Sequence, residues 1–349
     1  MSPRPVPLLE ITDLSVDFTA PDGRTTHVLE DVRLTIAPGE SVGLVGESGS
    51  GKSVLARTIL GLHPRTSQVT ARGTVRFDGT ELLGRGPRQH RRILGTDVSM
   101  IFQDPSTSMN PVVTVAGQVI EASDRKRQLS STVRRNLVGD LLRAVGLHDA
   151  NRIARSYPSQ LSGGQRQRVG IAAALAGGPR LLLADEPTTA LDVSVQRTVL
   201  DLLDEIRREQ GLAMVHITHD LALASGRTDR VIVLYAGRVV ESGPTADVLS
   251  RPAHPYTQSL LAVRPRLHEP PPLPLPALPG SVPRLDRPRT GCPFAPRCAL
   301  ADERCRVERP PVVELPGRDG TQSVACWRVA EEHAPPEPAR TLSSSGGAR

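Results

Sequence analysis

The chain has 349 residues, of which 38% are hydrophobic and 23% charged, a balance that excludes a fibrous or fully disordered protein and allows two domains with a sizeable core. It has neither a run of about 18 apolar residues nor a secretory-type N-terminus, so we expect a cytosolic protein that is soluble on its own. The net charge of +6 comes from scattered Lys and Arg residues, which favours ordinary surface charge over a nucleic-acid-binding patch.

The predicted elements change type along the chain. The stretches "LLEITDLSVDF" and "DVRLTIAPGESVGLVG" alternate apolar and polar residues, which predicts strands. Helical spacing dominates from 115 to about 147. From 161 onward, short apolar runs alternate with helical stretches such as 193–209, a pattern typical of a parallel sheet flanked by helices. After about 263, dense prolines predict a stiff linker, and the last residues are predicted to be disordered.

A glycine-rich loop follows the apolar run "VGLV". The stretch "GESGSGKS" fits the G-x-x-x-x-G-K-[ST] pattern of a phosphate-binding loop and comprises Gly46, Glu47, Ser48, Gly49, Ser50, Gly51, Lys52 and Ser53. Its glycines allow backbone N–H groups to turn toward phosphate oxygens, and the next helix points its positive dipole end at the same anion. Lys52 is predicted to contact the β and γ phosphates and Ser53 to bind Mg²⁺.

A pair of carboxylates ends the apolar run "RLLLADEP". Adjacent buried carboxylates are costly unless a cation or hydrogen-bond donors compensate them. Asp185 is therefore predicted to hold Mg²⁺ through water, and Glu186 to polarise the attacking water. The alternative is that both acids face solvent at the exit of the strand.

The order of several further motifs resembles that of the ATP-binding cassette (ABC) ATPases. These motifs are "LSGGQ", "FQDP", "TALD" and "ITHD". The resemblance implies an α/β fold, with a RecA-like parallel sheet, an N-terminal antiparallel β part and a helical subdomain at about 104–165. It also implies that two cassettes pack head to tail and share two ATP molecules, so this chain needs a second ABC ATPase subunit.

The resemblance gives roles to individual positions. The signature residues Ser162, Gly163, Gly164 and Gln165 would bind the γ-phosphate held by the opposite subunit. Gln103 would reach Mg²⁺ and the attacking water, His219 would sense the γ-phosphate, and Asp192 would communicate across the dimer. Phe18 is the candidate for stacking on adenine, with His27 as the alternative.

Four longer stretches narrow the resemblance to ATPase subunits of dipeptide, oligopeptide and nickel importers: "VGESGSGKS", "FQDPSTSMNP", "HPYTQSLL" and "GCPFAPRC". Such subunits lie on the cytoplasmic face of the membrane under two permease subunits, which receive substrate from an extracytoplasmic binding protein. Peptide import is expected, and import of nickel or another solute is the alternative. A soluble nucleic-acid-associated ABC ATPase is disfavoured because the chain has neither a long coiled-coil insertion nor a second cassette, and no nucleic-acid partner is expected.

All the cysteines of the chain lie in its C-terminal part, with the spacing C-x₅-C-x₆-C-x₂₀-C: Cys292, Cys298, Cys305 and Cys326. Thiolates in this number suit zinc or a [4Fe–4S] cluster, and the alternative is four unrelated thiols. The family resemblance favours the cluster. Nearby arginines, Arg297, Arg304 and Arg306, would offset its negative charge.

The predicted boundaries follow from these motifs. Residues 1–245 are expected to form the nucleotide-binding domain, 246–290 a helix and proline-rich linker, 291–327 a four-cysteine C-terminal domain, and 328–349 a disordered tail.

Overall fold

The computed structural model describes residues 6–63, 68–90, 92–104, 108–127, 130–188, 193–262, 280–283, 285–286 and 290–333. Most of the proline-rich stretch 263–290, the segment 334–349 and Asp192 lie outside these residues. No helix in the described ranges is both long and apolar enough to span a membrane.

The main sheet in the described residues has eight strands in the order β11-β12-β10-β9-β3-β8-β7-β6. Strands β9, β3, β8, β7 and β6 run parallel, and β10, β12 and β11 extend one edge in antiparallel fashion. The parallel strands are short and buried on both faces, as expected when helices cover them. The strand bounds are β3 Ser41–Val45, β6 Val98–Ile101, β7 Leu181–Asp185, β8 Ala213–Thr218, β9 Arg230–Tyr235, β10 Arg238–Pro244, β11 Val312–Pro316 and β12 Thr321–Ala325.

A second, antiparallel sheet is formed by the N-terminal strands in the order β2-β1-β4-β5. Their bounds are β1 Leu9–Thr19, β2 Thr25–Ile36, β4 Gln68–Phe77 and β5 Thr80–Glu81. Side chains of this sheet, such as Ile11 and Val75, share one buried cluster with Leu44 of β3 and with Leu55 of the helix that follows the glycine-rich loop. The predicted α/β class with an N-terminal antiparallel part is confirmed. Burial of the shared core holds the two sheets against each other.

The described helices lie between and after the strands. Helices α3 to α6 pack around a separate core that includes Val119, Leu142 and Val169. Helices α3 and α4 lie in the stretch 115–147 where helical spacing dominates the sequence, and α5 and α6 follow it. Their bounds are α1 Lys52–Leu60, α2 Pro87–His90, α3 Val115–Arg127, α4 Ser131–Ala144, α5 Ala150–Arg155, α6 Gly163–Leu175, α7 Val193–Gln210, α8 Thr245–Ser250, α9 Pro255–Ala262, α10 Glu303–Val307 and α11 Trp327–Glu332.

The cysteine-bearing segment is joined to the main sheet. Strand β12 pairs with β10 through Glu241↔Val324 and Ser242↔Ser323, and β11 pairs with β12. Buried Phe294 packs in one cluster with Tyr235 of β9 and Tyr256 of α9. The segment is therefore anchored to the same sheet that carries the glycine-rich loop.

Candidate functional site

The glycine-rich loop connects buried strand β3 to helix α1. Gly46 has no room for a side chain, because a Cβ there would lie 2.1 Å from the carbonyl oxygen of Leu234. Gly51 caps α1 with φ +104°, a left-handed conformation that favours glycine. These two positions bend the backbone back over the start of α1, where backbone N–H groups and the helix dipole favour an anion.

Lys52 is buried beneath this loop, with 5% of its surface exposed. Its Nζ donates to the carbonyl oxygens of Gly46 and Glu47 at 2.7 and 2.9 Å. Burial lowers the pKa of Lys52, although the nearby charges of Glu186 and Asp185 oppose this effect. The ammonium group is thus held by the loop and faces two carboxylates, a position suited to a bound phosphate.

Ser53 and Asp185 meet at the end of β7. The Ser53 hydroxyl donates to Asp185 Oδ1 at 3.2 Å. Burial raises the pKa of Asp185 and the Glu186 charge adds to this, although the hydrogen bond from Ser53 opposes it. A hydroxyl and a buried carboxylate side by side are hard oxygen ligands of the kind that Mg²⁺ prefers. The donor set therefore fits the predicted Mg²⁺ site.

Glu186 accepts hydrogen bonds from two residues that are distant in the sequence. Gln103 Nε2 donates to its Oε2 at 3.0 Å, and His219 Nδ1 lies 3.0 Å from its Oε1. The backbone of Glu186 has φ +44°, a rare conformation for a non-glycine residue and one that concentrates at functional sites. The structure thus brings His219, predicted to sense the γ-phosphate, together with Glu186 and Gln103, which were predicted to act on the attacking water.

The signature residues lie away from this cluster. Ser162 accepts from the backbone N–H of Gln165, and the Gln165 side chain accepts from the backbone N–H of Ser162, which forms a capping box at the start of α6. In the described part of the chain, no hydrogen bond or ion pair joins Ser162, Gly163 or Gly164 to the glycine-rich loop. Because Ser162 and Gly163 are exposed, this helix start is free to meet another molecule.

The two adenine-stacking candidates occupy different environments. Phe18 is partly buried against the N-terminal core and makes an edge contact with His63, with ring centroids 5.9 Å apart. His27 Nδ1 lies 2.7 Å from a carboxylate oxygen of Asp17, so this ring already has an intramolecular partner.

The cysteines line one small apolar cavity together with His254, Phe294 and Trp327: Cys292, Cys298, Cys305 and Cys326. All four are free thiols, and burial raises the pKa of Cys292 to about 11. Among the described residues, no group of three or more His, Cys, Asp or Glu side chains is arranged to hold a metal ion. The predicted clustering in space is therefore present, whereas ready-made metal coordination is not.

Two contacts to the glycine-rich loop were not predicted from the sequence. Arg297, expected to offset the charge of a cysteine-bound centre, instead forms a two-pronged ion pair with Glu47. The Tyr256 hydroxyl accepts from the backbone N–H of Glu47 at 2.8 Å. Since 250 and 209 residues separate these partners, no local pattern in the sequence indicates either contact.

A buried histidine beside the site predicts sensitivity of the fold to acid. His216 of β8 is buried, with 7% of its surface exposed, and burial lowers its pKa to about 4, with smaller effects from Arg227 and Arg207. An unfolded histidine titrates near pH ~6.5. Between about pH 6.5 and 4 the unfolded chain therefore binds more protons, and the free energy of unfolding falls as pH is lowered.

Between about pH 6.5 and 4, the free energy of unfolding of His216→Gln is expected to fall by roughly 3 kcal/mol less than that of the wild type. Urea unfolding at several pH values measures the difference. The exposed His148 provides a matched control, and His148→Gln should keep the wild-type profile. An unchanged pH dependence in His216→Gln would contradict the prediction. Asp204, whose Oδ1 lies 4.0 Å from His216, remains in both variants, so the difference between them isolates the histidine.

The parallel sheet, the glycine-rich loop and the convergence of Gln103 and His219 on Glu186 define a phosphate-loop ATPase of the cassette class. Residues 29–189 match the ABC transporter family, and residues 240–305 match the C-terminal region of oligopeptide/dipeptide transporters. The chain belongs to the ABC transporter family, in the branch with this C-terminal region, and is an ATP-hydrolysing ABC ATPase.

Related proteins are similar over nearly their whole length. A putative peptide import ATP-binding protein of Brucella abortus is 44% identical over 317 residues, which cover 91% of this chain and 94% of that protein. The dipeptide transport ATP-binding protein DppD of Haemophilus influenzae is 42% identical over 331 residues, which cover 94% of this chain and 98% of that protein.

Solved structures of cassettes share the fold. A dimeric, post-hydrolysis state of the ATP-binding cassette MJ0796 bound to ADP and phosphate matches with a TM-score of 0.61 at 30% identity. The match covers 68% of this chain and 98% of that one. The structure of cbiO1 from Clostridium perfringens, part of the ABC transporter complex cbiONQ, matches with a TM-score of 0.58 at 26% identity, covering 70% of this chain and 91% of that one.

Proposed function

We propose that this chain is the ATP-hydrolysing subunit that powers import of dipeptides or oligopeptides across the cytoplasmic membrane. The observation that carries the proposal is the pair of hydrogen bonds from Gln103 and His219 to the Glu186 carboxylate, beside Lys52 and the Ser53–Asp185 pair. The peptide cargo is supported by the names of relatives that are 42–44% identical over nearly the whole chain.

In the proposed reaction, Glu186 polarises a water for in-line attack on the γ-phosphate. Gln103 and His219 orient that carboxylate, and His219 senses the phosphate. Lys52 stabilises the β and γ phosphates, while Ser53 and Asp185 hold Mg²⁺, which would offset the charge that develops on the transferred group. Each role is supported by a side chain that already lies within hydrogen-bonding distance of its neighbour in the cluster.

The ATP site is proposed to be completed by a second ABC ATPase subunit. Ser162, Gly163 and Gly164 would contact the γ-phosphate bound by the partner, with Gln165 holding the helix start through its capping bond. The exposure of Ser162 and Gly163 supports this role. Phe18 is proposed to stack on adenine, and Asp192 to act across the dimer.

The assembly is proposed to contain two permease subunits and an extracytoplasmic binding protein, with this chain peripheral on the cytoplasmic face. Closure of the ATP dimer would move the helical subdomain, about 104–165, against the permeases. The exposed apolar side chains of Phe102 and Val112, which flank Gln103 and the start of that subdomain, support such a docking surface.

Uptake by proteoliposomes that contain the chain, its second ATPase subunit and both permeases tests the cargo. With binding protein outside and ATP inside, a labelled tripeptide is expected to accumulate. Uptake of Ni²⁺ with no peptide uptake would replace peptide import by the metal alternative. ATP hydrolysis that responds to DNA or RNA, with no permease bound, would contradict a transport role.

We also propose that Cys292, Cys298, Cys305 and Cys326 hold an iron–sulfur cluster, with Cys₄ zinc as the alternative. All four thiols line one cavity, as the ligands of a shared centre must. His254 also lines this cavity. Its Nδ1 accepts from the backbone N–H of Tyr256, so Nε2 carries the hydrogen, and this buried N–H has no hydrogen-bond partner among the described residues.

Metal analysis after anaerobic purification tests this second proposal. Iron and acid-labile sulfide in equal amounts, about four of each per chain, are expected for a [4Fe–4S] cluster, with loss of visible absorbance in a Cys298→Ser/Cys326→Ser variant. One zinc per chain without iron would favour the alternative. Colourless, metal-free protein with four titratable thiols would exclude both.

A further inference from the structure

Glu47 of the glycine-rich loop is held by the C-terminal part of the chain. Arg297 donates to the two carboxylate oxygens of Glu47, at 2.7 Å from Nη1 to Oε2 and 3.1 Å from Nη2 to Oε1. The Arg297 side chain is 4% exposed and that of Glu47 24%. A two-pronged, mostly buried pair of this kind fixes orientation as well as distance.

The same residue is held at its backbone. Its N–H donates to the hydroxyl of fully buried Tyr256, and its carbonyl oxygen accepts from Lys52 Nζ at 2.9 Å. The side chain, N–H and carbonyl of Glu47 are thus all engaged, and two of these three groups, the side chain and the N–H, are held by residues outside the loop. Since Lys52 Nζ donates to the carbonyl oxygen of Glu47, the position of Glu47 directly affects the position of the ammonium group.

Arg297 is itself held in place by Tyr235 and the aromatic rings packed around it. Its Nη1 also donates to the Tyr235 hydroxyl at 3.2 Å, and its guanidinium lies 5.8 Å from the centre of the Tyr235 ring. The rings of Tyr235, Tyr256 and Phe294 pack together with centroids 4.5 to 5.4 Å apart. This aromatic cluster connects strand β9, helix α9 and the cysteine segment, so Arg297 cannot shift without disturbing all three.

Arg297 lies in the segment that carries the cysteines. Arg297 ends the short 3₁₀ turn Ala295–Arg297, which lies between Cys292 and Cys298. Arg238, 8% exposed at its side chain, donates to the carbonyl oxygen of Gly291 and anchors the start of the same segment. The backbone that carries the cysteines therefore also carries the guanidinium that holds the loop.

We infer that Arg297 is a positioning residue for nucleotide binding: through Glu47, the cysteine segment holds the phosphate loop in the shape that places Lys52 against ATP. Arg297 does not touch the reacting atoms. The proposal rests on ATP binding by this chain, not on the identity of the cargo, so a different transported solute would leave it intact.

Equilibrium binding of MgATP to the full-length chain, together with its ATPase kinetics, tests the proposal. Arg297→Gln is expected to raise the Kd and the KM for ATP by about 10-fold, the middle of the range for coupling between sites, with kcat at saturating ATP within about 2-fold of wild type. Arg297→Lys keeps the positive charge but cannot donate to both carboxylate oxygens of Glu47 in the same geometry. Its KM for ATP should therefore lie between those of Arg297→Gln and wild type.

Glu47→Gln breaks the same pair from the loop side and leaves the cysteine segment unchanged, so misfolding of that segment cannot account for a shared effect. The double variant Arg297→Gln/Glu47→Gln is expected to have a KM no higher than that of Arg297→Gln, because both changes remove one interaction. Arg309 supplies a matched control. It pairs with Asp31 of β2 across another contact between the C-terminal segment and the core, and the Asp31 carboxylate accepts otherwise from Ser15, so Arg309→Gln should leave the KM unchanged.

An unchanged KM in Arg297→Gln, a fall in kcat at constant KM, or additive effects in the double variant would each overturn the inference. An equal rise in KM in Arg309→Gln would also overturn it, since the effect would then reflect general loosening of the C-terminal segment.

Discussion

Glu186→Gln is expected to lower ATP turnover by at least about 100-fold while MgATP binding changes by no more than a few-fold. The amide keeps the size of the side chain and its hydrogen-bonding capacity toward Gln103, but it cannot polarise the attacking water. Because bound ATP then persists, the two ATPase subunits should remain associated in the presence of MgATP. Single-turnover hydrolysis and size-exclusion chromatography with ATP measure the two effects.

The same substitution at an exposed position separates chemistry from general damage. Glu209 is exposed near the end of helix α7, and Glu209→Gln should retain wild-type turnover. Wild-type hydrolysis by Glu186→Gln would remove Glu186 from the reaction and leave its hydrogen bonds to Gln103 and His219 as structural contacts.

Lys52→Ala is expected to show the converse behaviour, with the Kd for MgATP raised about 10- to 100-fold and turnover falling with it. The substitution removes a positive charge that faces two carboxylates, Asp185 and Glu186, as well as the ammonium bonds that hold the loop. Phosphates would then approach two negative groups without compensation. Isothermal titration of the purified chain with MgATP measures the loss.

Lys126→Ala, in helix Val115–Arg127, is the control for loss of a lysine and should bind MgATP as wild type does. Tight binding by Lys52→Ala would contradict the phosphate role of Lys52. Together the two variants separate hydrolysis from binding. Glu186→Gln should retain ATP that it cannot cleave, whereas Lys52→Ala should cleave little ATP because it binds ATP weakly.

Local motifs predicted most of the ATP site. The glycine-rich loop is contiguous in the chain, so its pattern can be recognised from the sequence. The positive φ of Gly51 is a local constraint, whereas the close approach of Gly46 to Leu234 joins two distant segments and could not be predicted. The family resemblance assigned Gln103, Glu186 and His219 to the γ-phosphate and the attacking water, whereas the hydrogen bonds from Gln103 and His219 to Glu186 were not predicted. Parallel strands β6, β7 and β8 are neighbours, so residues that follow their carboxyl ends meet at one edge.

Contacts between distant segments were beyond sequence reasoning. The aromatic cluster of Tyr235, Tyr256 and Phe294 and the Arg297–Glu47 pair depend on how the C-terminal segment folds back over the loop. Nor did spacing indicate that β12 adds to the edge of the main sheet beside β10. For the cysteines, the sequence predicted proximity but not geometry, because the proline-rich stretch before them gives no register from which to place four thiols.

ATP hydrolysis by the assembled complex in proteoliposomes, with and without peptide-loaded binding protein, tests the central claim most directly. The complex contains this chain, its second ATPase subunit and the two permeases. If the chain couples ATP turnover to peptide import, peptide-loaded binding protein should stimulate hydrolysis several-fold, and Glu186→Gln should abolish both the basal and the stimulated rate. Hydrolysis that is indifferent to permeases, binding protein and peptide would contradict the account.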